Sequence, residues 1–582
     1  MDSANKTFFI MVLLTMVCFG ITLYQFFNPK ENITTIATNE SQVNETEKIK
    51  LSNDEEKKVT LISEVTNLNE TIKYENDKLK VLFDSKKGEI SNLFIKTSDQ
   101  KAFDIVDSDQ INNALKFKLG SWKDGIELNT LFSEDSIYTF NNDKNRYTFS
   151  CDFKVSENEE EIIYRVEKIY TFYENENIFH FKLKLSNNKN KEMRFDSSET
   201  VFSLGWGPSL GVSSTNSAKK DERYEQFRFL SNDKIININS KNKIFRGTDG
   251  FATVKKAVKD DWLVSDSHYF TSVIIPDTND YDYFFDYSKA EDNLFYCGLS
   301  LKSDKSVIET SFNIYCGPKS GKILKRYDNF KNDDVYLSKK GLSKLDPPIV
   351  WGLGDLLGWF LKVLYMGVKN YGLAIIILTI ILKALLSPLM ANSMKNSQKM
   401  QTLQPKLAEL QAKYKDKPEM LSQKTMELYK KSGINPMSGC LPMLLQMPFL
   451  FAMYQLLDRM FELKGASFLW IKDLAMPDSL ITFGFTIPLL NIESLNILPI
   501  IMVVTQVFQS LLTPGMGNNQ QAKMMIWLMP LMFFFFFYNV SSGLVLYWTI
   551  MNLLGIIQQV YMNKKLLVTN EVKDVTKKKK HK

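Results

Sequence analysis

The chain contains 582 residues, of which 44 % are hydrophobic and 24 % are charged, and its formal net charge is +6. This length allows several domains, and so small a net charge gives no support for recognition of a specific nucleic-acid sequence. The five cysteines and three histidines show no spacing typical of a metal site, so neither a metal, a cofactor nor histidine-based catalysis is expected.

The first apolar run covers residues 8–27 and is long enough to span a bilayer. No A-x-A-like cleavage site follows it, so residues 1–27 are predicted to be an uncleaved transmembrane anchor rather than a signal peptide. Residues 28–74 are rich in Asn, Thr, Glu and Lys. Such a composition cannot bury a core, so this segment is predicted to be a disordered periplasmic linker.

Residues 75–340 have the pattern of a strand-rich domain. Phe179, Phe181 and Leu183 alternate with His180 and Lys182, which indicates a strand with one buried face. Many such runs, separated by turn signals, predict a large all-β sandwich. This domain contains Cys151, Cys297 and Cys316. All three are expected to be free thiols; the alternative is one disulfide and one free thiol.

The second half of the chain is dominated by apolar runs. Residues 346–368 are amphipathic and carry Trp351 and Trp359, which are typical of a helix lying at the membrane interface. Five further transmembrane segments are predicted, at about 369–391, 441–461, 495–513, 524–540 and 543–562. The shorter run 480–490 is predicted to be interfacial or re-entrant. With the first anchor, the chain is predicted to be a polytopic α-helical membrane protein with six transmembrane helices.

Lys383 lies within an otherwise uncharged run, IIILTIILKALLSPLM, which begins at Ile375. A cation that faced lipid at the centre of a helix would cost roughly 2.5–3.5 kcal/mol. Lys383 is about 11 Å from the predicted cytoplasmic end of the helix, at about 1.5 Å per residue. The alternative is snorkelling of its stem towards the headgroups, but the stem spans only part of that distance. A lysine that faces a polar cavity is therefore favoured.

The distribution of lysines predicts the topology. The loop 392–440 contains nine Lys and four acidic residues, and the tail after Met562 contains eight Lys and two acidic residues. Because positive loops stay inside, both are predicted to be cytoplasmic. Six spans then put both termini inside and the large domain on the other side of the membrane.

The cytoplasmic loop has a helical pattern of its own, over residues 392–438. Its apolar residues step by 3 and 4, as on one helix face, and are Met400, Leu403, Leu407 and Leu410. A break at Asp416–Pro418 predicts an antiparallel helical hairpin. Either the hairpin only connects two spans, or this apolar seam is a docking surface; a charged hairpin of this length exceeds what a connection needs.

Polar residues recur within the apolar segments. Thr379 and Lys383 are four residues apart and share one helix face. The others are Gln446, Gln506, Gln509, Ser510, Thr549 and Asn552. Each alone is typical of contacts between helices, but together with Lys383 they indicate a water-containing cavity. The centres of these segments contain no acidic residue, which argues against a proton-coupled transporter. Because no phosphate loop or catalytic triad is found either, an enzyme is not expected.

Several long motifs resemble the YidC membrane insertases. In the apolar half they are NYGLAIIILTIILKALLSPL from Asn370, MQTLQPKLAELQAKY from Met400, NPMSGCLPMLLQMPFLFAMYQLL from Asn435 and SGLVLYWTIMNLLGIIQQ from Ser542. In the strand-rich half, KVLFDSKKGEI from Lys80, GWGP from Gly205 and CGPKSGKILKRYD from Cys316 are similar to the family's periplasmic domain.

The resemblance implies a protein of a bacterial inner membrane whose strand-rich domain lies in the periplasm. It also implies an insertase core, residues 369–563, whose five helices enclose a hydrophilic groove open to the cytoplasm and the lipid. Lys383 takes the position of a groove arginine; lysine keeps the charge but loses the planar fork. Thr379 and Gln446 match groove-lining positions, and Trp548 stands where many relatives have a tyrosine that contacts substrate.

The implied function is the insertion and folding of nascent membrane proteins, alone or with the Sec translocon, without ATP. The ribosome is the expected partner of the cytoplasmic hairpin and of the basic tail, residues 564–582, and the lipid bilayer receives the inserted segment. The alternative is a membrane transporter or channel whose periplasmic β domain binds a ligand.

Overall fold

The computed structural model describes the chain with gaps. The described residues are 57–62, 72–96, 102–106, 114–128, 138–157, 160–193, 195–196, 198–207, 226–231, 234–238, 243–245, 248–255, 262–277, 281–289, 294–332, 335–337, 341–347, 349–415, 417–433, 441–487, 492–512 and 520–580. Two compact units are present. One spans Lys30–Pro347, and the other combines Met1–Pro29 with Pro348–Lys582. The predicted anchor, residues 1–27, lies outside the described residues.

The first unit consists mainly of strands. They are β1 (Lys57–Leu61), β2 (Ile72–Glu75), β3 (Leu79–Asp84), β4 (Glu89–Lys96), β5 (Ala102–Asp104), β6 (Lys116–Leu119), β7 (Thr139–Asp143), β8 (Arg146–Glu157), β9 (Glu160–Phe172), β10 (Ile178–Asn187), β11 (Thr200–Trp206), β12 (Gln226–Ser231), β13 (Lys234–Ile238), β14 (Phe251–Lys255), β15 (Leu263–Asp266), β16 (Phe270–Pro276), β17 (Tyr281–Lys289), β18 (Leu294–Lys302), β19 (Val307–Pro318), β20 (Phe330–Asn332) and β21 (Val335–Leu337). A helix, α1 (Gly321–Asp328), and 3-10 turns at Lys243–Phe245 and Leu342–Leu345 complete this unit.

The strands form antiparallel sheets. The largest has the order β1-β8-β9-β10-β19-β16-β15-β12-β13, with β7 added on β8. A second has the order β14-β17-β18-β11-β6, and a third the order β2-β3-β4-β5. In β10, the predicted alternation is confirmed, because Phe179, Phe181 and Leu183 are fully buried and His180 and Lys182 are half-buried.

The sheets pack face to face through aromatic side chains. Phe229 of the largest sheet contacts Tyr283 of the second, with ring centroids 5.5 Å apart. Phe83 of the third sheet contacts Tyr170 of the largest at 5.0 Å. This is the layered packing of a sandwich. The unit is not purely β, however, because α1 buries Leu324 against one face of the largest sheet.

The predicted linker, residues 28–74, is shorter than expected. β1 pairs with β8, with Lys57 opposite Glu157, and β2 pairs with β3. The prediction of disorder was therefore wrong for these two strands. The polar composition of β1 is tolerated because β1 is an edge strand. Its backbone forms hydrogen bonds with β8, a partner almost a hundred residues away.

The second unit consists mainly of helices. They are α2 (Leu353–Val368), α3 (Tyr371–Thr402), α4 (Gln404–Lys413), α5 (Pro418–Lys431), α6 (Leu441–Arg459), α7 (Ile497–Leu512), α8 (Gln520–Phe537) and α9 (Ser542–Lys580). Short 3-10 turns lie at Ile349–Gly352 and Phe461–Leu463, and β22 (Ile481–Ile487) pairs with β23 (Ile492–Leu495). Within the run 480–490, predicted to be an interfacial or re-entrant piece, Ile481–Ile487 is thus a strand paired with β23, and residues 488–490 lie outside the described residues.

Among the described residues, Tyr371–Pro388 and Ser542–Asn563 are long and apolar enough to cross a membrane, and Ile497–Leu512 and Ile526–Phe537 are shorter apolar helices. The count of six transmembrane helices stays a prediction. α3 continues to Thr402, so the predicted hairpin begins as an extension of this helix. α9 likewise continues through most of the predicted basic tail.

The helices of this unit pack around α9. α9 contacts α3, α6 and α7; α7 also contacts α8, and α2 packs against α3 and α6. These contacts place α3, α6, α7 and α9, the helices that carry the predicted polar residues, in one helical core.

Candidate functional site

Lys383 is buried inside the helical unit. Its side chain is only 8 % exposed, and it makes no hydrogen bond or ion pair with any residue that the structure describes. Two positions further along α3, Leu385 is 66 % exposed, so the outer side of the helix is apolar. The cation is therefore directed to the protein side of α3 and not to the surface that lipid would cover.

Thr379 lies one turn before Lys383 and is fully buried. Its hydroxyl donates to the carbonyl of Ile375 at 2.6 Å, a bond within its own helix. Because an oxygen acceptor remains on that hydroxyl, Thr379 adds polarity to the face of α3 that carries Lys383. The predicted common face of these two residues thus lies inside the unit.

Asn552 links α9 to α7. Its side-chain amide donates to the carbonyl of Met502 and to the hydroxyl of Thr505, both at 3.4 Å. One turn further along α9, a Cβ on Gly555 would overlap the amide of Gln509. Asn552 and Gln509 therefore serve the close approach of these two helices, as polar residues commonly do within a membrane.

Two buried polar atoms in this region have no hydrogen-bond partner among the described residues. They are Oε1 of Gln506 on α7 and Nε1 of Trp548 on α9. One is an acceptor and the other a donor. A buried polar atom without a partner costs free energy, so these atoms are sites at which water or a peptide group would be stabilised.

The indole of Trp548 stacks on α8. Its ring lies 5.5 Å from that of Phe533 and 6.2 Å from that of Phe537, each with an interplanar angle of 16°. The sequence indicated an apolar span at Phe533–Phe537 but gave these rings no role. In the structure, two of them fix the plane of Trp548.

Gln446 on α6 and Ser510 on α7 are both half-buried. No hydrogen bond or ion pair between described residues joins either of them to Lys383. The structure therefore brings Lys383 and Thr379 together, and separately Asn552, Thr505 and Met502, while a single groove lined by all eight predicted residues stays a prediction.

One end of the helical unit is closed by the loop 464–496. The backbone N–H groups of Ser542 and Gly543, at the start of α9, donate to the carbonyls of Met476 and Leu474 at 2.8 and 2.9 Å. Asn496 donates through its side-chain amide to the carbonyl of Tyr538, just after α8, at 2.7 Å.

The same loop binds the starts of α7 and α3. Asp478 is buried, and its Oδ2 accepts hydrogen bonds from the backbone N–H groups of Ile497 and Leu498 at 3.0 and 2.8 Å. The ring of Phe468 lies directly against Gly372 in the first turn of α3. The loop therefore joins the ends of four helices. Sequence reasoning missed this role, because most of the bonds involve backbone groups.

At the other end of these helices, side-chain hydrogen bonds join α9 to α3 and α7. Gln558 of α9 donates to the hydroxyl of Ser387 on α3 at 3.2 Å, and Asn563 donates to the carbonyl of Leu512 on α7 at 3.3 Å. Both residues lie on the side of the unit from which the predicted cytoplasmic hairpin extends.

The predicted docking seam of the hairpin is partly internal. Leu403 and Leu407 are buried and Leu410 is half-buried, whereas the side chain of Met400 lies outside the described residues. In this structure the side chains of Leu403 and Leu407 are buried where α4 packs against α3 and α5, so their docking role stays a prediction that would require the hairpin to open. An apolar seam in a sequence does not tell which partner covers it.

The outer side of the hairpin is charged. On α5, Glu427 contacts Lys424 and Lys431, both at 2.8 Å. Hydrogen bonds from these two ammonium groups lower the pKa of the Glu427 carboxyl to about 2. In the described residues, no group of three or more His, Cys, Asp or Glu side chains could hold a metal ion.

Comparisons with known proteins cover both units. A family model described as 60Kd inner membrane protein matches residues 363–569, and one described as YidC periplasmic domain matches residues 71–352. Each unit is thus similar to a separate part of the same kind of protein.

Individual relatives agree with the family models. A protein of Treponema denticola named membrane protein insertase YidC is 32 % identical over 528 residues, which cover 85 % of this chain and 86 % of the relative. One of the same name from Chlorobium luteolum is 34 % identical over 311 residues, 52 % of this chain and 51 % of the relative.

A solved structure described as an active YidC insertase with the first transmembrane domain resolved is 18 % identical, covers 87 % of this chain and 95 % of that chain, and has a TM-score of 0.34. The identity to the Treponema relative, which extends through both units, decides the assignment. This chain belongs to the YidC family of membrane protein insertases.

Proposed function

We propose that this protein inserts nascent membrane proteins by receiving their polar segments in a groove of the helical unit, with Lys383 as its cation. The proposed lining is Thr379, Gln446, Gln506, Gln509, Ser510, Trp548 and Asn552. The family is one of insertases rather than enzymes, and it does not favour the alternative of a transporter or channel.

The observation that carries this proposal is the burial of Lys383 without a counterion among the described residues. A cation in a membrane-spanning helix is costly, and proteins that retain one usually direct it to an aqueous cavity or a partner. The unpartnered atoms of Gln506 and Trp548 add an acceptor and a donor on neighbouring helices.

Lys383 would act by attraction. An acidic residue of an arriving polar segment gains a favourable charge interaction in a region where water is sparse, and such interactions are stronger at lower dielectric constant. The polar lining supplies hydrogen bonds that the segment would otherwise lose on leaving water.

The adjoining apolar segment of the client supplies the driving force. Transfer of apolar surface out of water releases about 25 cal/mol per Å², so a helix of about 20 apolar residues partitions into lipid without ATP. The bonds between the loop 464–496 and four helix ends support a groove that is closed on the periplasmic side.

The family also bears on where the protein lies and on its partners. The family's inner-membrane and periplasmic models both match, so the protein is an inner-membrane protein with a periplasmic domain. We further propose that both termini are cytoplasmic, that the hairpin and the basic end of α9 meet the ribosome, and that the Sec translocon is a partner for some clients.

The test is complementation in cells depleted of their own insertase, with insertion of a single-span client measured by protease protection. Lys383→Arg should insert the client at close to the normal rate, because it keeps the charge. Lys383→Glu should lose insertion, because it repels acidic client residues.

Lys305→Glu is the matched control, since it makes the same charge change at an exposed position of the first unit. Membrane levels of all variants are measured by immunoblotting to separate loss of function from loss of protein. Normal insertion by Lys383→Glu would contradict the role of the cation. An ion flux through the purified protein in liposomes would instead support a channel.

A further inference from the structure

An apolar turn protrudes from the loop 464–496. Phe468 and Ile471 exchange two backbone hydrogen bonds of 2.9 Å, and the two residues between them form the tip. At the tip, Leu469 is 75 % exposed and Trp470 is 38 % exposed. Leu469 also has a φ of 52°, a left-handed conformation that a bulky side chain rarely adopts. The turn thus holds a large apolar side chain outward in a conformation that glycine would adopt more easily.

The tip is firmly connected to the helices. Nε1 of Trp470 donates to Oδ2 of Asp478 at 3.2 Å. The same oxygen accepts the backbone N–H groups of Ile497 and Leu498 at the start of α7. A carboxylate at this place also interacts favourably with the helix dipole. One oxygen therefore fixes both the indole and the first turn of α7.

A second connection runs to α3. The ring of Phe468, next to the tip, lies against Gly372 so closely that a Cβ there would overlap it. The side-chain amide of Asn370 donates to the carbonyl of Ser467 at 3.3 Å. The position of the tip is consequently set by the starts of α3 and α7, the two helices that carry Lys383 and Gln506.

Further exposed apolar residues adjoin this tip in the chain. Leu480 and Ile481, which follow Asp478 closely, are 47 % and 54 % exposed. On α7 an exposed apolar stripe follows at helical spacing, formed by Ile500, Val504, Phe508 and Leu511. Such an exposed apolar stripe on a membrane-core helix is typical of a surface that meets lipid. The backbone N–H of Leu480 donates to the carbonyl of Leu495 at 3.0 Å, so Leu480 lies beside the start of this helix.

We propose that Leu469, Trp470, Leu480 and Ile481 form a lipid anchor that inserts into the outer-leaflet interface of the membrane. Tryptophan favours this depth because its ring is apolar and its N–H is polar. The exposed Lys472 nearby can keep its ammonium group among the headgroups while its stem lies along apolar surface.

The anchor would also fix the depth of the Lys383 cation in the bilayer. Lys383 follows Gly372 by eleven residues on α3, which corresponds to about 16 Å at about 1.5 Å per residue. With Gly372 held at the outer boundary of a hydrocarbon core about 30 Å thick, Lys383 lies near the middle of the bilayer. The inference concerns lipid contact; its outer-leaflet placement rests on the proposed topology, but it does not require the client groove.

The test uses the full-length protein in liposomes of phosphatidylethanolamine and phosphatidylglycerol. A nitroxide is attached to Leu469→Cys and, separately, to Leu480→Cys, and its collisions with oxygen and with a water-soluble nickel chelate are measured by power-saturation spectroscopy. The unsubstituted protein, treated in parallel, corrects for labelling of native cysteines.

Two matched positions calibrate the measurement. Leu385→Cys lies on the exposed apolar side of α3, and Val307→Cys lies at a 52 % exposed position of the first unit. We expect labels at 469 and 480 to have a several-fold lower nickel accessibility than at 307, and an oxygen-to-nickel ratio between those of 307 and 385. Nickel accessibility equal to that at 307 would place the loop in water and overturn the proposal. Low accessibility to both reagents would show that protein covers the tip, which overturns it as well.

Discussion

The absence of a side chain at Gly372 gives the ring of Phe468 its place against the first turn of α3. A Cβ on residue 372 would overlap that ring, and the two residues are almost a hundred positions apart in the chain. At this contact the loop 464–496 meets α3, the helix that carries Lys383. A methyl group added at residue 372 therefore tests whether the loop stabilises the start of this helix.

We expect Gly372→Ala to destabilise the helical unit. The new methyl group must displace the ring of Phe468, and overpacking of this kind costs about 1–3 kcal/mol. Thermal unfolding of the purified protein in detergent, followed by its helical circular dichroism, measures the change. Gly367→Ala is the control, because nothing lies within 4 Å of a Cβ at that helical position. It should leave the midpoint unchanged or raise it. Equal midpoints for the two variants would show that the loop yields without cost.

In the first unit, Lys168 and Glu89 form a buried ion pair, with Nζ of Lys168 3.5 Å from Oε1 of Glu89. Nζ also donates to the carbonyl of Lys87, and Oε1 accepts the backbone N–H of Phe117. Burial raises the pKa of Glu89 and lowers the pKa of Lys168. Each buried charge is therefore paired with the other and also hydrogen-bonded to the backbone.

We expect Lys168→Met to cost about 3–5 kcal/mol of stability, because it removes the counterion of a buried carboxylate. Combining it with Glu89→Gln should recover most of the loss, since glutamine keeps an acceptor for Phe117 without a charge. Unfolding in guanidinium chloride, followed by tryptophan fluorescence, measures both. A double variant as unstable as the single one would show that packing, and not the unpaired charge, dominates.

The strands and the membrane helices were the parts of the fold that local pattern could predict. The alternation in β10 was confirmed because one face of that strand meets a core, and hydrophobic periodicity reports burial directly. The pairing of β1 with β8 was missed, because an edge strand depends on a distant partner and its own sequence is polar.

The sequence predicted one part of the candidate site, the shared helix face of Thr379 and Lys383, but not the loop that joins the helix ends. The spacing of Thr379 and Lys383 was sufficient to place them on one face, and both are buried. Spacing does not decide the role of Leu403 and Leu407, whose apolar character fits either a docking surface or an interior contact and which are buried in the structure. The closure by the loop 464–496 depends on backbone bonds, which leave no signature in side-chain chemistry.

The cysteines of the first unit are free, as expected from the sequence. Burial raises the pKa of the Cys151 thiol from 9.0 to about 12, and it also raises the pKa of Cys297 and Cys316. Because only the thiolate reacts, roughly one Cys151 in ten thousand is reactive at pH 8 even before steric protection is considered.

We therefore expect native protein to resist iodoacetamide at these three positions up to about pH 9, and urea-unfolded protein to be alkylated at all three. Mass spectrometry of the digested protein gives the extent at each cysteine. A raised pKa means that the Cys151 contribution to stability is complete below pH 9.0 and is lost as the pH rises through about 12. Alkylation of native Cys151 at pH 8 would show that β8 opens readily.

Removal of the first unit tests whether insertion resides in the helical unit alone. The structure sets the boundaries of the deletion: residues 57–345 contain every described strand of the first unit, together with the turn that ends it. All eight proposed groove residues and the loop 464–496 belong to the second unit, and the hydrogen bonds described for them stay within it. We expect a chain without residues 57–345 to retain most insertion in depleted cells, and to lose it when Lys383→Glu is added.

Deletion of residues 75–340 is the matched control, because it leaves β1 and most of β2 without their partners β8 and β3. Unpaired strands of this kind promote aggregation, so this variant should reach a lower level in the membrane. If the 57–345 deletion accumulates normally but fails to insert the client, the first unit takes part in insertion and the proposal of an autonomous helical core is wrong.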